Sequence, residues 1–354
     1  MDQLSKKLLK YSGYVLISIG FVYLTAAIVL IYIGPITTLI VKHKLKNNPV
    51  DVVVSLTTTP YRIDTIKPVL DGIFRQSIKP TRVYVNVPYV FKRENKKYII
   101  PEWLKSYPDV IINRTNDYGP GTKLIGTLEK EHDPNTIIIT FDDDKIYQKH
   151  AVRDLVNQYL SDPSSNNKAI TGVGLNIVFL RDNEMYVPVI YVPNSPSLLV
   201  VGTTGIAYKR KFFKEDIFSL VDNMPTSCFL SDDLMITMYL FSNNLDVTTA
   251  SGFFFNPVLK NLRKSLLSSY TNDSLRVGAM TDGNENNYSN CLEYFSTYNK
   301  VKYDTIMHRS KFIMIDADKN KWLHIAANRL YYLYLSGFVR VIPFMERFIV
   351  KFMN

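Results

Sequence analysis

The chain has 354 residues, of which 46% are hydrophobic and 21% are charged, with 15 Gly and 17 Pro. This length and composition exclude a disordered, collagen-like or coiled-coil protein and leave room for about one or two globular domains. The two cysteines, Cys228 and Cys291, are too few and too widely spaced for a zinc ribbon. A single disulfide between them stays open.

The net charge of +10 is confined to the two ends of the chain. Residues 1–46 carry six Lys and one Asp, and residues 319–354 carry six Lys or Arg and one Glu. Residues 47–318 have 30 basic and 30 acidic side chains and are neutral. A neutral body with basic ends fits attraction to a membrane, whereas a nucleic-acid groove needs basic side chains on the folded domain. We therefore expect a lipid bilayer, and no nucleic acid, among the partners.

An uncharged stretch, residues 11–41, follows a short basic tail of residues 1–10. Its apolar part, Ser12 to Ile33, would rise about 33 Å as a helix, enough to cross a hydrocarbon core of roughly 30 Å. A cleaved signal peptide has a shorter apolar region. The sequence therefore predicts a single-pass, N-terminal transmembrane helix that is retained as an anchor, followed by a linker over residues 42–49. Lysines on both sides leave its orientation open.

Beyond the linker, strand-like and helix-like patterns alternate along the chain. The predicted elements are strand Val50–Leu56, helix Ile63–Gln76, strand Thr81–Val87, strand Val110–Asn113, a helix near Gly121–Lys130, strand Thr136–Phe141 and a helix-like run Leu234–Phe241. This order implies right-handed crossovers and an α/β domain with a mostly parallel sheet flanked by helices, which we assign to residues 50–318. The basic, aromatic segment 319–354 fits either a helix in the membrane interface or packing against the domain.

Three consecutive aspartates, Asp142, Asp143 and Asp144, come directly after the apolar strand that ends at Phe141. Ligands of open α/β sheets bind at the carboxyl ends of the strands. Adjacent carboxylates repel one another unless a cation or hydrogen-bond donors neutralise them, and a divalent ion is the simplest solution. The alternative is that they cap the next helix or form a turn. Their position at the strand end favours a functional site.

Four segments resemble metal-dependent glycosyltransferases of the GT-A fold, close to the family 2 type and to glycosyltransferases of large DNA viruses and algae. They are SLTTTPYRI at Ser55–Ile63, DYGPGTKLIGTL at Asp117–Leu128, FDDD at Phe141–Asp144 and SDDLMITMYL at Ser231–Leu240. Weaker members of the set are GTTGIAYKRKFF at Gly202–Phe213 and DGNENNYSNC at Asp282–Cys291. Together the segments imply a Rossmann-like GT-A domain.

The resemblance implies a nucleotide-sugar donor, with UDP as the expected nucleotide, whose diphosphate is bridged to the aspartates by Mn²⁺ or Mg²⁺. Asp144 is the first expected metal ligand, Asp142 meets the ribose or shares the ion, and Asp143 could replace either. His308 is a further candidate metal ligand or a structural histidine. The other donor-binding residues expected are Thr57, Thr58, Thr59, Arg62, Asp117 and Lys123.

These donor-side residues also have plain structural interpretations. The threonine loop could be a simple strand-to-helix connection. Asp117 and Lys123 flank a Gly-Pro-Gly turn, where Lys123 could reach a phosphate and Asp117 the base. The alternative for this pair is a salt link at the surface.

The resemblance also implies a general base from Asp232 and Asp233, which would deprotonate the acceptor hydroxyl and give inversion at the anomeric carbon. Asp233 is the first choice and Asp232 the second, since Asp-Asp replaces the family's usual Glu-Asp. The alternative is that both only favour the start of a helix. The loop expected on the acceptor side consists of Gly202, Thr203, Thr204 and Gly205.

We therefore expect a membrane-anchored, metal-dependent, inverting glycosyltransferase of the hexosyl or deoxyhexosyl type. Its acceptor would be a hydroxyl on a glycan, a glycoprotein or a lipid. One alternative is a catalytically inactive membrane structural protein with a GT-A-like fold. Another is a sugar nucleotidyltransferase, which would favour a Gly-rich phosphate loop after the first strand, and residues 57–60 contain no glycine. The donor sugar and the acceptor stay open.

Overall fold

The structure of the chain is a computed structural model. It describes residues 35–172, 200, 202–250, 290–291 and 293–297, together with the backbone of residues 178–179, 185–186, 196–197 and 258–261. The chain divides into two units, Met1–Pro49 and Val50–Asn354. The predicted site residue His308 and the segment 319–354 lie outside the described residues.

The first unit contains helix α1, residues 35–47. This helix begins at the end of the predicted anchor and continues through most of the segment predicted as a linker. The apolar stretch of residues 12–33 lies outside the described residues. Among the helices that the structure describes, none combines the length and the apolar character needed to cross a bilayer.

The second unit alternates strands and helices. Its described strands are β1 (Val52–Thr57), β2 (Arg82–Pro88), β3 (Val90–Phe91), β4 (Lys96–Lys97), β5 (Val110–Thr115), β6 (Ile137–Thr140), β7 (Lys145–Tyr147), β8 (Lys168–Thr171), β9 (Val178–Phe179), β10 (Met185–Tyr186), β11 (Pro196–Ser197), β12 (Ile206–Lys209), β13 (Asp246–Thr249) and β14 (Val258–Asn261). Its described helices are α2 (Lys67–Phe74), α3 (Glu102–Lys105), α4 (Thr122–Leu128), α5 (Ala151–Ser161), α6 (Asp216–Asn223), α7 (Thr226–Phe229) and α8 (Asp232–Ser242).

Eight strands form the main sheet, in the order β11-β13-β8-β12-β6-β1-β2-β5. Strand β1 is parallel to β2 and β6, β2 is parallel to β5, and β8 is parallel to β13. Strand β12 is antiparallel to both of its neighbours, β6 and β8, and β11 is antiparallel to β13. The predicted mostly parallel α/β sheet is confirmed, and it fits a Rossmann-like GT-A architecture.

The centre of the sheet is apolar because β1 and β6 are buried on both faces. Only Thr57 at the end of β1 is partly exposed, and all of β6 is buried. Such strands need helices on both sides, which explains their nearly continuous Val and Ile. Helix α4 is buried along its whole length. A charged side chain is uncommon on a helix that is buried along its whole length, and α4 carries one, Lys123.

The predicted elements appear close to their expected bounds. The largest difference concerns α2, predicted over Ile63–Gln76. A 3-10 turn covers Ile63–Thr65, and α2 begins at Lys67 with Pro68 in its first turn. Proline is tolerated there because the first backbone N–H groups of a helix have no partner within it. Helix α2 therefore begins one residue before its proline.

A disulfide joins Cys228 in α7 to Cys291 in the helical segment at residues 290–297. Both cysteines are fully buried. The bond closes a loop between positions 63 residues apart and attaches α7, which directly precedes α8, to the segment that contains Cys291. The two cysteines, whose pairing the sequence left open, therefore form a disulfide.

We expect the double variant Cys228→Ala/Cys291→Ala to lose roughly 4 kcal/mol of unfolding free energy, because the cross-link restricts a long loop of the unfolded chain. Urea unfolding of the full chain in detergent, followed by tryptophan fluorescence, measures the loss. The oxidised wild type is the reference. Equal unfolding midpoints for the two proteins would contradict a structural role for the bond.

Candidate active site

A cavity of about 280 Å³ opens beside the carboxyl ends of β1 and β6. Its lining contains most of the side chains that the sequence marked: Thr57, Thr58, Thr59, Arg62, Asp117, Lys123, Asp142, Asp143, Asp144, Gly202, Thr203, Asp232 and Asp233. Thr204 and Gly205 continue the turn that carries Thr203 but are not part of the lining. Residues from five separate segments therefore meet in one place.

Asp143 ties the loop after β1 to the loop after β6. Its Oδ1 lies 2.9 Å from Nη1 of Arg62, and its Oδ2 accepts a hydrogen bond of 2.6 Å from the Thr58 hydroxyl. Burial raises the pKa of Asp143, although Arg62 and Thr58 oppose the shift. Both carboxylate oxygens are thus engaged in holding the threonine loop in place.

Asp142 faces α4 rather than the threonine loop. Its Oδ1 accepts a hydrogen bond of 3.0 Å from Nζ of Lys123, and its backbone N–H donates to the Tyr147 hydroxyl at 2.9 Å. Tyr147 in turn stacks on Phe141, with ring centroids 3.7 Å apart. Burial would raise the pKa of Asp142, but the ammonium group of Lys123 lowers it below the usual value. Asp142 is therefore an ionised carboxylate.

Asp232 is the second carboxylate at this ammonium group. Its Oδ2 lies 3.2 Å from Nζ of Lys123, and this buried oxygen accepts no hydrogen bond from the described residues. Burial would lower the pKa of Lys123, but Asp142, Asp232 and Asp233 raise it well above its usual value. Lys123 is therefore a fixed positive charge between two loops of the cavity. The alternative of a surface salt link between Asp117 and Lys123 does not hold, because both residues are buried and Lys123 pairs with Asp142 and Asp232.

Asp233 occupies the first turn of α8 next to the Gly202 turn. Its Oδ1 accepts a hydrogen bond of 3.0 Å from the backbone N–H of Gly202. Burial, and then the neighbouring charge of Asp232, raise the pKa of Asp233 well above its usual value. Neither aspartate caps α8, whose N-cap residue Ser231 also makes no capping bond with its side chain. Both aspartates do lie in the first turn of α8, as the helix-start alternative expects. Their side chains also face Lys123 and the Gly202 turn.

Asp144 completes the acidic triplet, with its Oδ1 3.5 Å from Nζ of Lys145. No group of three or more His, Cys, Asp or Glu residues within the described part of the chain is arranged as a preformed metal site. Mg²⁺ commonly binds to one or two carboxylates and takes its other ligands from substrate phosphates and water. Asp142 and Asp144 are hard oxygen donors at the same cavity, so their chemistry fits a divalent ion of this kind.

Asp117 holds the Gly-Pro-Gly turn. Its Oδ1 accepts a hydrogen bond from the backbone N–H of Gly119 at 2.8 Å, and its Oδ2 accepts one from the backbone N–H of Lys92 at 2.7 Å. The turn is thereby attached to the hairpin of β3 and β4. The carboxylate still lines the cavity, and in the structure it serves to shape the loops around it.

Further lining residues were not expected from the sequence pattern. Three of them are aromatic, Phe91, Tyr98 and Phe229, and the others include Arg93 and Pro120. Tyr98 donates a hydrogen bond of 2.9 Å to the backbone oxygen of Thr58, and the hairpin also contacts Tyr61 through Lys96, 3.7 Å from the ring centroid. Single aromatic residues in short connecting segments carry no pattern that distinguishes a pocket wall from ordinary packing.

Two glycines let the Gly202 turn approach the site closely. A Cβ atom on Gly202 would lie 2.9 Å from Nζ of Lys123 and 3.1 Å from Oδ1 of Asp233. Gly205 has a φ of +82°, and a Cβ there would lie 2.5 Å from the ring of Phe141. Glycine is required at position 205 because of its positive φ and the Phe141 ring. At position 202 a methyl group would force the ends of the Lys123 and Asp233 side chains to shift.

Neither a protein-family model nor a curated protein matches the chain. Among solved structures, S. aureus TarS 1-349 is 14% identical, with 75% of this chain and 88% of that chain covered and a TM-score of 0.36. The same protein in complex with UDP is 15% identical to this chain, with 59% of each chain covered and a TM-score of 0.35. Francisella tularensis 2-C-methyl-D-erythritol 4-phosphate cytidylyltransferase is 11% identical to this chain, with a TM-score of 0.32. The match covers 56% of this chain and 89% of that chain. Likeness at these values assigns no function to the chain.

We expect Gly205→Ala to reduce the free energy of unfolding by about 2–3 kcal/mol, because the new methyl group meets Phe141 and the backbone is strained. Gly121→Ala is the matched control. Its Cβ would lie 3.6 Å from Asp232 and Met235, an ordinary contact, so its stability should change by less than about 0.5 kcal/mol. Urea unfolding of both variants measures the difference. Equal stabilities would show that the turn differs from the one described.

Proposed function

We propose that the chain is a glycosyltransferase that moves a sugar from a nucleotide-sugar, with UDP as the expected nucleotide, to an acceptor hydroxyl. One observation carries the proposal: the carboxylates of residues 142–144 and of residues 232–233 line a single cavity, with Lys123 between them. Sugar transfer needs a place for a leaving diphosphate and a base for the acceptor in the same cavity. The cavity provides groups suited to both.

The donor diphosphate would lie beside the loops after β1 and β6. Asp144 and Asp142 would hold a Mn²⁺ or Mg²⁺ ion, which would neutralise the charge that develops on the leaving diphosphate. Arg62 lines the same cavity and offers a further positive charge. Thr58 and Asp143 would act indirectly, because their mutual hydrogen bond orients the loop that carries Arg62.

Asp233 is the proposed general base, and its surroundings favour it over Asp232. A raised pKa brings a carboxylate closer to neutral pH, where a general base is most effective. Asp232 is instead paired with Lys123. Asp233 would take the proton of the acceptor hydroxyl while the acceptor oxygen bonds to the anomeric carbon and the bond to the diphosphate breaks. Attack from the side opposite the diphosphate would invert that carbon.

The alternative of an inactive structural protein is less well supported. Placing the carboxylates of Asp232, which is buried, and Asp233 side by side is unfavourable, and such a cost is common where charges serve a reaction. The nucleotidyltransferase alternative has no glycine-rich phosphate loop to support it, because the loop after β1 contains only Thr and Pro at residues 57–60.

We also propose that residues 11–41 anchor the enzyme in a lipid bilayer and that its acceptor is a glycan, a glycoprotein or a lipid. The apolar sequence of this stretch and the lysines that follow it support an anchor. The buried disulfide favours an oxidising compartment for the domain, since disulfides persist there and are rare where glutathione keeps thiols reduced.

We expect Asp144→Ala to reduce the rate of Mn²⁺-dependent UDP release from UDP-hexoses by about 100-fold or more, because an oxygen ligand of the ion is lost. The full-length protein in detergent is assayed with UDP-glucose, UDP-galactose and UDP-N-acetylglucosamine. Asp64→Ala, at an exposed position outside the cavity lining, is the matched control. Wild-type rates in Asp144→Ala, or in wild type without metal, would contradict a role in metal binding.

The pH dependence distinguishes the two candidate bases. If Asp233 is the base, activity is lost as the pH falls through its raised pKa, so the acidic limb lies above that of an ordinary aspartate. Asp232→Asn removes a charge that raises this pKa and should move the limb to lower pH. Asp233→Asn should reduce kcat by on the order of 100-fold or more at every pH. Retained activity in Asp233→Asn, together with complete loss in Asp232→Asn, would reverse the assignment.

A further inference from the structure

Lys123 connects the donor side and the acceptor side of the cavity. Its Nζ lies 3.0 Å from Oδ1 of Asp142, which follows β6, and 3.2 Å from Oδ2 of Asp232, which begins α8. Asp142 is a proposed ligand of the ion at the donor diphosphate, and Asp232 is adjacent in sequence to the proposed base Asp233. One ammonium group thus contacts both functional halves of the site.

The position of this ammonium group is fixed by burial. The Lys123 side chain is 7% exposed, and it comes from a helix that is buried along its whole length. The side chains of Asp142 and Asp232 are 25% and 9% exposed. A long, flexible side chain at the surface would lose such contacts readily, whereas a buried one holds its partners at a set distance.

The same ammonium group also lies against the turn that orients Asp233. The site for a Cβ on Gly202 is 2.9 Å from Nζ of Lys123, and the backbone N–H of Gly202 donates to Asp233 at 3.0 Å. Asp233 is therefore flanked by Asp232, which Lys123 pairs, and by Gly202, which packs against Lys123. A displacement of the ammonium group would disturb both supports.

We propose that Lys123 is a positioning residue for the general base, rather than a ligand of the donor phosphate. It holds Asp232 directly, and Asp233 through the Gly202 turn, at a defined distance from the donor-side carboxylate Asp142. This inference rests on the glycosyl transfer proposed above and assigns Lys123 to the step in which the acceptor is deprotonated.

The role has a distinct consequence for kinetics. Without the ammonium group, the carboxylates of Asp142, Asp232 and Asp233 would lie close together with no cation between them, and repulsion would displace the first turn of α8. In the donor complex the divalent ion, which Asp144 and Asp142 would hold, would balance the charge of Asp142, and Arg62 would still line the cavity. Loss of Lys123 should therefore impair turnover much more than donor binding.

The test compares the Lys123→Met variant with the wild type in full-length protein in detergent with Mn²⁺. Isothermal titration with UDP-glucose, UDP-galactose and UDP-N-acetylglucosamine gives the donor Kd, and UDP release to water at saturating donor gives kcat. We expect kcat to fall by about 100-fold or more and the donor Kd to change by less than about threefold. A donor Kd that rises by about tenfold or more, or an unchanged kcat, would overturn the proposal.

Gly202→Ala provides a second variant that keeps the charge of Lys123 but places a methyl group against its ammonium group. It should lower kcat by about tenfold or more with an unchanged donor Kd, whereas Gly121→Ala should change neither. If Lys123→Met does not fold, Gly202→Ala decides, and wild-type kcat in that variant overturns the proposal. A wild-type protein that releases no UDP from any of the donors would instead overturn the proposed function itself, and this inference with it.

Discussion

The repulsion among the carboxylates of residues 142–144 and 232–233, which line one cavity, is the constraint on which the architecture of this site depends. Three basic side chains from different parts of the chain pair with these carboxylates and oppose the repulsion. They are Arg62 after β1, Lys123 on α4 and Lys145 on β7. Lys123 is the central one because two aspartates that are distant in sequence share it. A buried ion pair adds little to stability on its own, but it fixes geometry when each charge depends on the other.

The same surroundings give neighbouring aspartates different chemistry. The ammonium group of Lys123 lowers the pKa of Asp142, whereas burial and the charge of Asp232 raise the pKa of Asp233. Pairs of titratable groups whose pKa values are pushed apart are typical of sites that divide binding and proton transfer between similar residues. The division proposed here places the charged carboxylates at the donor and the more basic carboxylate at the acceptor.

Much of the fold could be predicted because its central elements carry strong local signals. The apolar runs of β1 and β6 predicted a buried parallel sheet, and the acidic triplet lies at the strand end where it was expected. Strand β12 was missed because Ile206–Lys209 is too short to show a period, and its antiparallel place between β6 and β8 depends on pairing alone.

The site was only partly predictable, for a different reason. Residue types and their order along the chain identified the candidate residues, but the partner of each side chain depends on segments that are far apart in sequence. Nothing near Lys123 in sequence indicates Asp232, and nothing near Asp143 indicates Thr58. The disulfide partner of Cys228 and the aromatic lining from the β3–β4 hairpin are long-range features of the same kind.

If these carboxylates bind a nucleotide-sugar through a divalent ion, UDP should bind only when the ion is present. Equilibrium titration of the full-length protein with UDP, in Mn²⁺ and again in excess EDTA, measures this dependence. We expect saturable binding of one UDP per chain in Mn²⁺ and a loss of affinity of about 100-fold or more in EDTA. Equal affinity under the two conditions, or no binding at millimolar UDP in Mn²⁺, would contradict it.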